Sequence, residues 1–396
     1  MSVPRRRGGL IALLRIPAIR RQAASGLIAQ LTQGAAAVGI ILVVRQHAHS
    51  LPLAGVVAGA LSVAAAGARP LQGRVIDRGS VRGLMAASGL VHALALAAIV
   101  WCSGLHAPRL VLVALGCLAG LALPPVSTAM RVHWATLTPA SERTGAYGLV
   151  YLTQELSILV APLILAAVIA LASAAAAVIV VATLSAAGSL AFAAALGPLP
   201  RRVQSGAPRV NVLRIGTFRL LLAVSLLTGA VIGAIEVAAP TLAAAHRQPA
   251  TAGLLIACIS VGGTAGAAIF ADRRWRSPAQ ALATRLLALL TVVLVATALT
   301  HGLVLAGVLL LVAGLPLNPA LTTFSLLVDE HVPSASAGEA FGWLSTGLAG
   351  GTGVASALAA AVASHGSDAQ AAFAVAAIAA ALGTVVMAAG RSSLRR

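Results

Sequence analysis

Apolar residues run through this chain in long unbroken stretches, separated by short clusters of arginine, proline, glycine and serine. The stretches fall near 22–44, 51–69, 83–103, 108–130, 146–170 and 173–196, then near 217–245, 250–271, 278–300, 302–328, 337–363 and 369–390. A helix needs about 20 apolar residues to cross a hydrocarbon layer. Within that layer every backbone polar group must be satisfied inside its own segment, so continuous runs of this length predict twelve helices. Porin-type strands would alternate polar and apolar residues, and these runs do not. Two of the divisions rest on very little: 144–196 is split at the Ala-Ser-Ala around Ser173, and 278–328 at His301-Gly302.

Composition agrees with that pattern. The 396 residues are 59% hydrophobic and only 9% charged, and the mean hydropathy is +0.98. Soluble domains carry roughly 25% charged residues, so a soluble enzyme, a disordered chain and a nucleic-acid-binding module are all excluded as function classes. Cys102, Cys117 and Cys258 stand singly in apolar runs, with neither a disulfide nor a zinc spacing. No Walker sequence, cofactor motif or metal cluster is expected, and an enzyme is not. His47-Ala48-His49 looks like a metal pair, but no acid or cysteine lies near it in sequence and a solvated loop explains it. The glycine clusters Gly262-Gly263-x-x-Gly266 and Gly350-Gly351-x-Gly353 fall inside apolar runs, which points to close helix packing.

Charge then orients the helices. Every one of the 27 basic residues is arginine, against 9 acids, for a formal net charge of +18. Short cytoplasmic loops retain positive charge. With twelve spans, all the arginines except Arg45, Arg109 and Arg247 fall on one side of the membrane, together with both termini. That side is read as cytoplasmic, so the net charge is a topology signal with no bearing on nucleic acid. The same loops can meet anionic lipid. The first run is longer than a signal-peptide core of roughly 7–15 residues and is taken as a permanent span.

The chain also repeats itself. Asp77-Arg78 recurs as Asp272-Arg273 at an offset of 195, while Pro125/Pro319, Thr128/Thr322 and Pro139/Pro333 keep an offset of 194. Ala146-Tyr147-Gly148 recurs as Ala340-Phe341-Gly342 at the same 194. A duplication after six helices gives parallel repeats around an axis along the membrane normal. The expected organisation is a six-helix half over 1–196, a cytoplasmic linker over 197–216 and a second half over 217–396.

At this point the chain resembles the major facilitator superfamily, over nearly its whole length. The sharpest local likeness is Gly73-Arg74-Val75-Ile76-Asp77-Arg78-Gly79-Ser80-Val81-Arg82, between the second and third spans. Gly73, Asp77, Arg78 and Arg82 match the family signature, and Ser80 stands where its second glycine is usual. A weaker copy ends in Asp272-Arg273. Arg131-Val132-His133-Trp134, Glu155 with Ala161-Pro162, and Gly338-Glu339-Ala340-Phe341-Gly342-Trp343 are similar to an actinobacterial branch of exporters. The resemblance implies an all-α multi-pass protein of the cytoplasmic membrane, monomeric, moving a small molecule by alternating access. In physical terms a glycine allows two helix ends to approach, and an Asp at a helix N-terminus answers free N–H groups. Neighbouring arginines that pair with it in one state would make a latch. A plain positive-inside loop is the competing reading.

Acids within a span are costly unless paired or hydrated. Glu155 in the fifth span and Glu236 in the seventh are the two of this kind, and each is a candidate for a proton or a cationic substrate group. A structural hydrogen bond to a neighbouring helix is the alternative for both. The resemblance places the first, fourth, seventh and tenth helices around a cavity, which makes Gln30, Thr32, Gln33, Ser127, Thr128, Asn318 and Thr322 candidate lining residues. Asparagine and glutamine can equally join helices. Pro124-Pro125, Pro240, and Pro316 with Pro319 are expected to bend their helices. An arginine clamp within the spans is not expected. The family's proton-coupling arginine early in the fourth helix and its exporter pattern in the fifth are missing, apart from Pro162. Proton-coupled efflux is therefore expected from family habit. An importer or uniporter of a polar solute, and a lipid-handling or non-transporting protein on the same scaffold, stand beside it.

Overall fold

The computed structural model describes residues 10–48, 50–197, 209–273, 275, 277–364 and 369–390. Arg5, Arg6, Arg7, Arg201, Arg202, Arg274, Arg276, Arg391, Arg395, Arg396, His49 and the middle of the linker (198–208) lie outside the described residues. Among those described, regular structure is helical throughout, and twelve helices are long and apolar enough to cross a membrane. They are α1 (Pro17–His47), α2 (Leu51–Asp77), α3 (Val81–Gly104), α4 (Arg109–Leu137), α5 (Ala140–Leu171) and α6 (Ala174–Ala195). The rest are α7 (Gly216–Ala245), α8 (Thr251–Asp272), α9 (Ala279–Ala298), α10 (Leu303–His331), α11 (Ser334–Ser364) and α12 (Ala369–Ala389).

Local chemistry explains the ends. Ser173, in extended backbone, accepts the Ala176 N–H at 3.1 Å and so starts α6 where the apolar run offers no other punctuation. Gly302 precedes α10 in the same extended conformation. At the end of α2, Gly79 takes a left-handed φ of 83°. The Ser80 N–H then reaches back to the Val75 carbonyl and the Gly79 N–H to that of Ile76, closing the helix with a Schellman turn.

Several helices run further than the apolar pattern predicts. α2 continues past 69 to Asp77, α4 past 130 to Leu137 and α10 past 328 to His331, while α5 starts at Ala140 ahead of 146. For α2, α4 and α10 the expected boundary stops at or just before a charged residue, Arg69, Arg131 and Asp329. A helix does not, provided its charged side chain finds a partner. Arg69 and Arg131, expected in loops, therefore lie more than a turn inside α2 and α4.

The prolines divide into two groups. α4 breaks into Arg109–Leu121 and Val126–Leu137 around Pro124-Pro125, as two adjacent residues without N–H donors require. α7 and α10, in contrast, continue through Pro240, Pro316 and Pro319. α1 carries an interruption at Gln30, between Pro17–Ala29 and Leu31–Ala48.

The described residues form two compact units, one from Ile11–Leu137 and Thr153–Gly206, the other from Thr138–Leu152 with the C-terminal part from Ala207 onward. In the first, α2 packs on α4, α3 on α4 and α6, and α1 on α6. In the second, α8 packs on α10, α9 on α10 and α12, and α7 on α11 and α12. Four of these pairings correspond by a shift of six helices. Large apolar side chains point outward in both units: Val63 is 75%, Leu110 79% and Val304 84% exposed. Alanine and glycine fill much of the interior, the arrangement suited to a hydrocarbon surround.

Backbones approach closely where glycines meet carbonyls. A Cβ on Gly229 would lie 1.9 Å from the Leu348 carbonyl oxygen, and one on Gly351 would lie 1.8 Å from that of Leu226, so α7 and α11 touch along their backbones. Thr352 and Ser356 donate across the same seam to the Gly229 and Gly233 carbonyls, both at 3.1 Å. Gly262 and Gly266 bring α8 against Leu311 and Leu315 of α10. Gly120 and Gly314, which are 194 apart, do the same for α4 on α2 and α10 on α8. Gly350 and Gly353, from the second glycine cluster, have no atom within 4 Å of an added Cβ.

Candidate functional site

A polar arrangement in the C-terminal unit joins the first turns of α5 to α10. Arg143 opens the regular part of α5 after the turn Ala140–Glu142. Its Nη1 donates to the Asp329 carboxylate at 3.2 Å, and the two side chains are 31% and 12% exposed. One turn on, the Tyr147 hydroxyl donates to the same carboxylate oxygen at 2.5 Å. A further turn on, the Tyr151 hydroxyl donates to the Leu321 carbonyl at 3.1 Å and lies 3.4 Å from the Ser325 hydroxyl. Residues at i, i+4 and i+8 share one helix face, so a single face of α5 carries all three. Gly148 allows the approach to α8, where an added Cβ would lie 2.8 Å from Ala271 Cβ. Charged hydrogen bonds of this kind are about twice as strong as neutral ones, and a low-dielectric surround strengthens them.

The repeat makes this arrangement one-sided. Shifting by 194 carries Arg143 to Ala337 and Asp329 to Ala135, so the symmetric counterpart of the ion pair is a pair of alanines. Tyr147 goes to Phe341, which has no hydroxyl.

Of the two acids expected within spans, Glu236 is exposed on α7, and no described residue offers its carboxylate a hydrogen bond or an opposite charge. Glu155 is half-buried on α5. The expected lining residues are mostly enclosed. Gln30 is fully buried at the interruption of α1; its Nε2 donates to the Gly26 carbonyl at 3.0 Å, and its Oε1 is buried without a partner. Thr32 shares a hydrogen bond of 3.2 Å with Ser185 of α6, and Gln33 is half-buried. Ser127 and Thr128 are buried in the first turn after the α4 break. Asn318 and Thr322 are buried in α10, where the Thr322 hydroxyl donates to the Asn318 carbonyl at 2.9 Å.

The signature loop lies at the junction of α2 and α3. Asp77 is the last residue of α2, at the negative end of its dipole, and the next helix starts at Val81 after Ser80. Asp77 therefore starts no helix of its own, and α2 runs up to the Gly79 turn. Gly73 is buried, and Arg78 is exposed. Arg82 donates from Nε to the Ala193 carbonyl at 3.1 Å, and also bonds the Leu196 carbonyl, so it caps the C-terminal end of α6. In the second half Asp272 likewise ends α8 and is exposed. Arg273 lies over the Trp275 ring, 5.7 Å from its centroid, and that ring stacks on Phe270 at 4.9 Å.

Three groups stand out that the apolar pattern did not single out: Asp329, Arg69 and Arg131. Each lies just beyond, or at the edge of, a span drawn to exclude charge. Arg131 is 5% exposed, with Nη2 donating to Gln154 at 3.3 Å. Arg69 is half-buried and donates from Nη1 to the Pro124 carbonyl at 3.1 Å and that of Leu123 at 3.4 Å. Both lie within helices that the apolar pattern ended at or before them.

A family model described as Major Facilitator Superfamily matches residues 23–352. Among solved structures, a bacterial homologue of the iron transporter ferroportin in an outward-facing state superposes with a TM-score of 0.76 at 16% identity, covering 94% of this chain and 99% of that one. The human organic anion transporter MFSD10 (TETRAN) gives 0.73 at 18%, with coverages of 93% and 99%. The E. coli fucose:proton symporter FucP gives 0.69 at 14%, with 95% and 98%. At such identities the likeness is one of fold. A search of curated proteins returns no match.

Proposed function

The chain belongs to the major facilitator superfamily, and on that premise we propose that it is a secondary active transporter of the cytoplasmic membrane, exporting a small organic molecule in exchange for protons by alternating access. It acts as a monomer, with both termini in the cytoplasm. The observation that carries the reading is Glu236. A carboxylate within an apolar helix is tolerated only where it is paired or hydrated, and Glu236 is exposed with no partner among the described residues. Such a group belongs on a water-filled path and can take up and release a proton there. Arg143, Tyr147 and Asp329 suit the closed position of a gate, because they join two helices through one carboxylate and leave no covalent constraint. Export follows the likeness of the stretches around Arg131, Glu155 and Gly338 to an exporter branch.

Reconstitution into proteoliposomes under an imposed pH gradient tests this reading. Substrate from a screening panel is expected to move against the proton flow, and Glu236→Gln is expected to abolish the gradient-driven component. Flux with unchanged rate and pH dependence in that variant removes Glu236 from the mechanism, and flux along the proton gradient makes the protein an importer.

A further inference from the structure

We propose that Asp329 is a proton-binding residue, and that the proton parts α5 from α10 by breaking the ion pair with Arg143. The inference deepens the gate reading of Arg143, Tyr147 and Asp329 given above and rests on it. Glu236 stays the proton carrier of that reading. Asp329 is a second acceptor, and it sets when the seam between the two helices opens.

Among the described residues, both bonds that the Asp329 side chain accepts come from across the seam. Arg143 Nη1 and the Tyr147 hydroxyl donate to the same oxygen, Oδ2. Oδ1 accepts no bond from a described residue, so a proton finds a free oxygen there. The side chain is 12% exposed, which leaves it mostly enclosed but still reachable. A protonated carboxyl retains an acceptor oxygen for Tyr147. It loses the charge that holds Arg143, and charge-assisted hydrogen bonds are about twice as strong as neutral ones.

The remaining ties of this α5 face stay neutral wherever a carboxylate changes charge. Tyr151 bonds the Leu321 carbonyl and meets Ser325, and the Tyr147 ring meets that of Phe341. Charge therefore enters the seam at one point. On α10 itself Glu330 follows Asp329 and is exposed, close enough for the two carboxylates to act on each other. His331 turns its Nδ1 to the Leu327 carbonyl of its own helix at 3.0 Å. The helices packed on α10 carry Arg219 and Glu236 (α7), Asp272 (α8), Arg285 (α9) and Glu339 (α11). None of these five acts on Asp329, whose partners are Arg143 and Tyr147. With alanines at 135 and 337, only one of the two repeats carries the titratable tie.

Access to a cysteine one turn further into α10 tests the proposal. Ser325→Cys is introduced in the full chain carrying Cys102→Ala, Cys117→Ala and Cys258→Ala, purified in a neutral detergent without substrate. Ser325 is 1% exposed, so labelling by a maleimide reports parting of the seam. Labelling at each pH is divided by that of the same chain unfolded in dodecyl sulfate, which cancels the titration of the thiol. From about pH 8 down to about pH 5, a range in which carboxylates of folded proteins can titrate, the ratio is expected to rise severalfold. Asp329→Asn should give a high ratio at every pH, and Glu330→Gln should keep the parent profile. Arg143→Gln serves if the asparagine variant does not fold, and should likewise give a high, flat profile.

The proposal is overturned if the parent profile is flat, or if the slope survives Asp329→Asn or Arg143→Gln. It is also overturned if Glu330→Gln or His331→Asn removes the slope, which would assign the proton to a neighbour. A pH-dependent seam without flux in proteoliposomes would keep the proton site and reject the transport reading. Flux with a flat profile would do the reverse.

Discussion

Tyr147 and Phe341 meet edge to face, with ring centroids 6.0 Å apart and planes inclined by 62°, and they occupy the same position of the two repeats. One of the two carries a hydroxyl, and that hydroxyl is spent on Asp329. The repeat thus supplies a matched aromatic contact, and a single oxygen turns one side of it into a polar tie between α5 and α10.

Removing that oxygen with Tyr147→Phe should cost about 1 kcal/mol and make the two repeats alike at this position. Asp329→Asn should cost about 1–3 kcal/mol, because a charged partner is lost as well. In a double-mutant cycle with Arg143→Gln, read by thermal unfolding in detergent, the two substitutions should be non-additive. Strict additivity would mean that the 3.2 Å pair carries no coupling.

Gly229→Ala and Gly351→Ala should each prevent the backbone contact of α7 with α11, since the added methyl would meet a carbonyl oxygen below 2 Å. Loss of monodisperse protein in size-exclusion chromatography is the expected outcome. Gly350→Ala, next in sequence but facing open space, should elute like the parent chain.

Gly79→Ala places a Cβ at a φ of 83° and should cost on the order of 1 kcal/mol. Gly83→Ala, a few residues on in a regular helix with nothing near it, should be neutral or slightly stabilising. Comparison of their unfolding midpoints separates backbone conformation from a general intolerance of this loop to change.

Arg82→Ala should lower the unfolding midpoint even with transport arrested, because it exposes two carbonyls at the end of α6. A pure gating role would alter flux and leave the midpoint unmoved.

Much of the site escaped the linear pattern for one physical reason. Asp329, Arg69 and Arg131 were placed outside the membrane because a charge was allowed to end a span. A helix, however, ends where its backbone turns, as at Gly79, or where a cap offers a better partner, as at Ser173. Charges within it persist when something answers them: Tyr147 and Arg143 for Asp329, the freed carbonyls of Leu123 and Pro124 for Arg69. Glu236 was legible because its neighbours are all apolar, so the acid stands out wherever the boundary is drawn.

By itself the sequence determined the helix number, and it predicts a six-helix repeat with arginine gathered on one face. These follow from hydrophobic length and charge, which act locally and survive small errors of register. Only the tertiary structure decided which polar groups meet. Asp329 lies more than 180 residues from Arg143 along the chain, and Arg82 finds its carbonyls on a helix three spans away. Such pairings depend on the rotation of each helix about its own axis. That rotation is set by where glycines let backbones touch, which no single segment records.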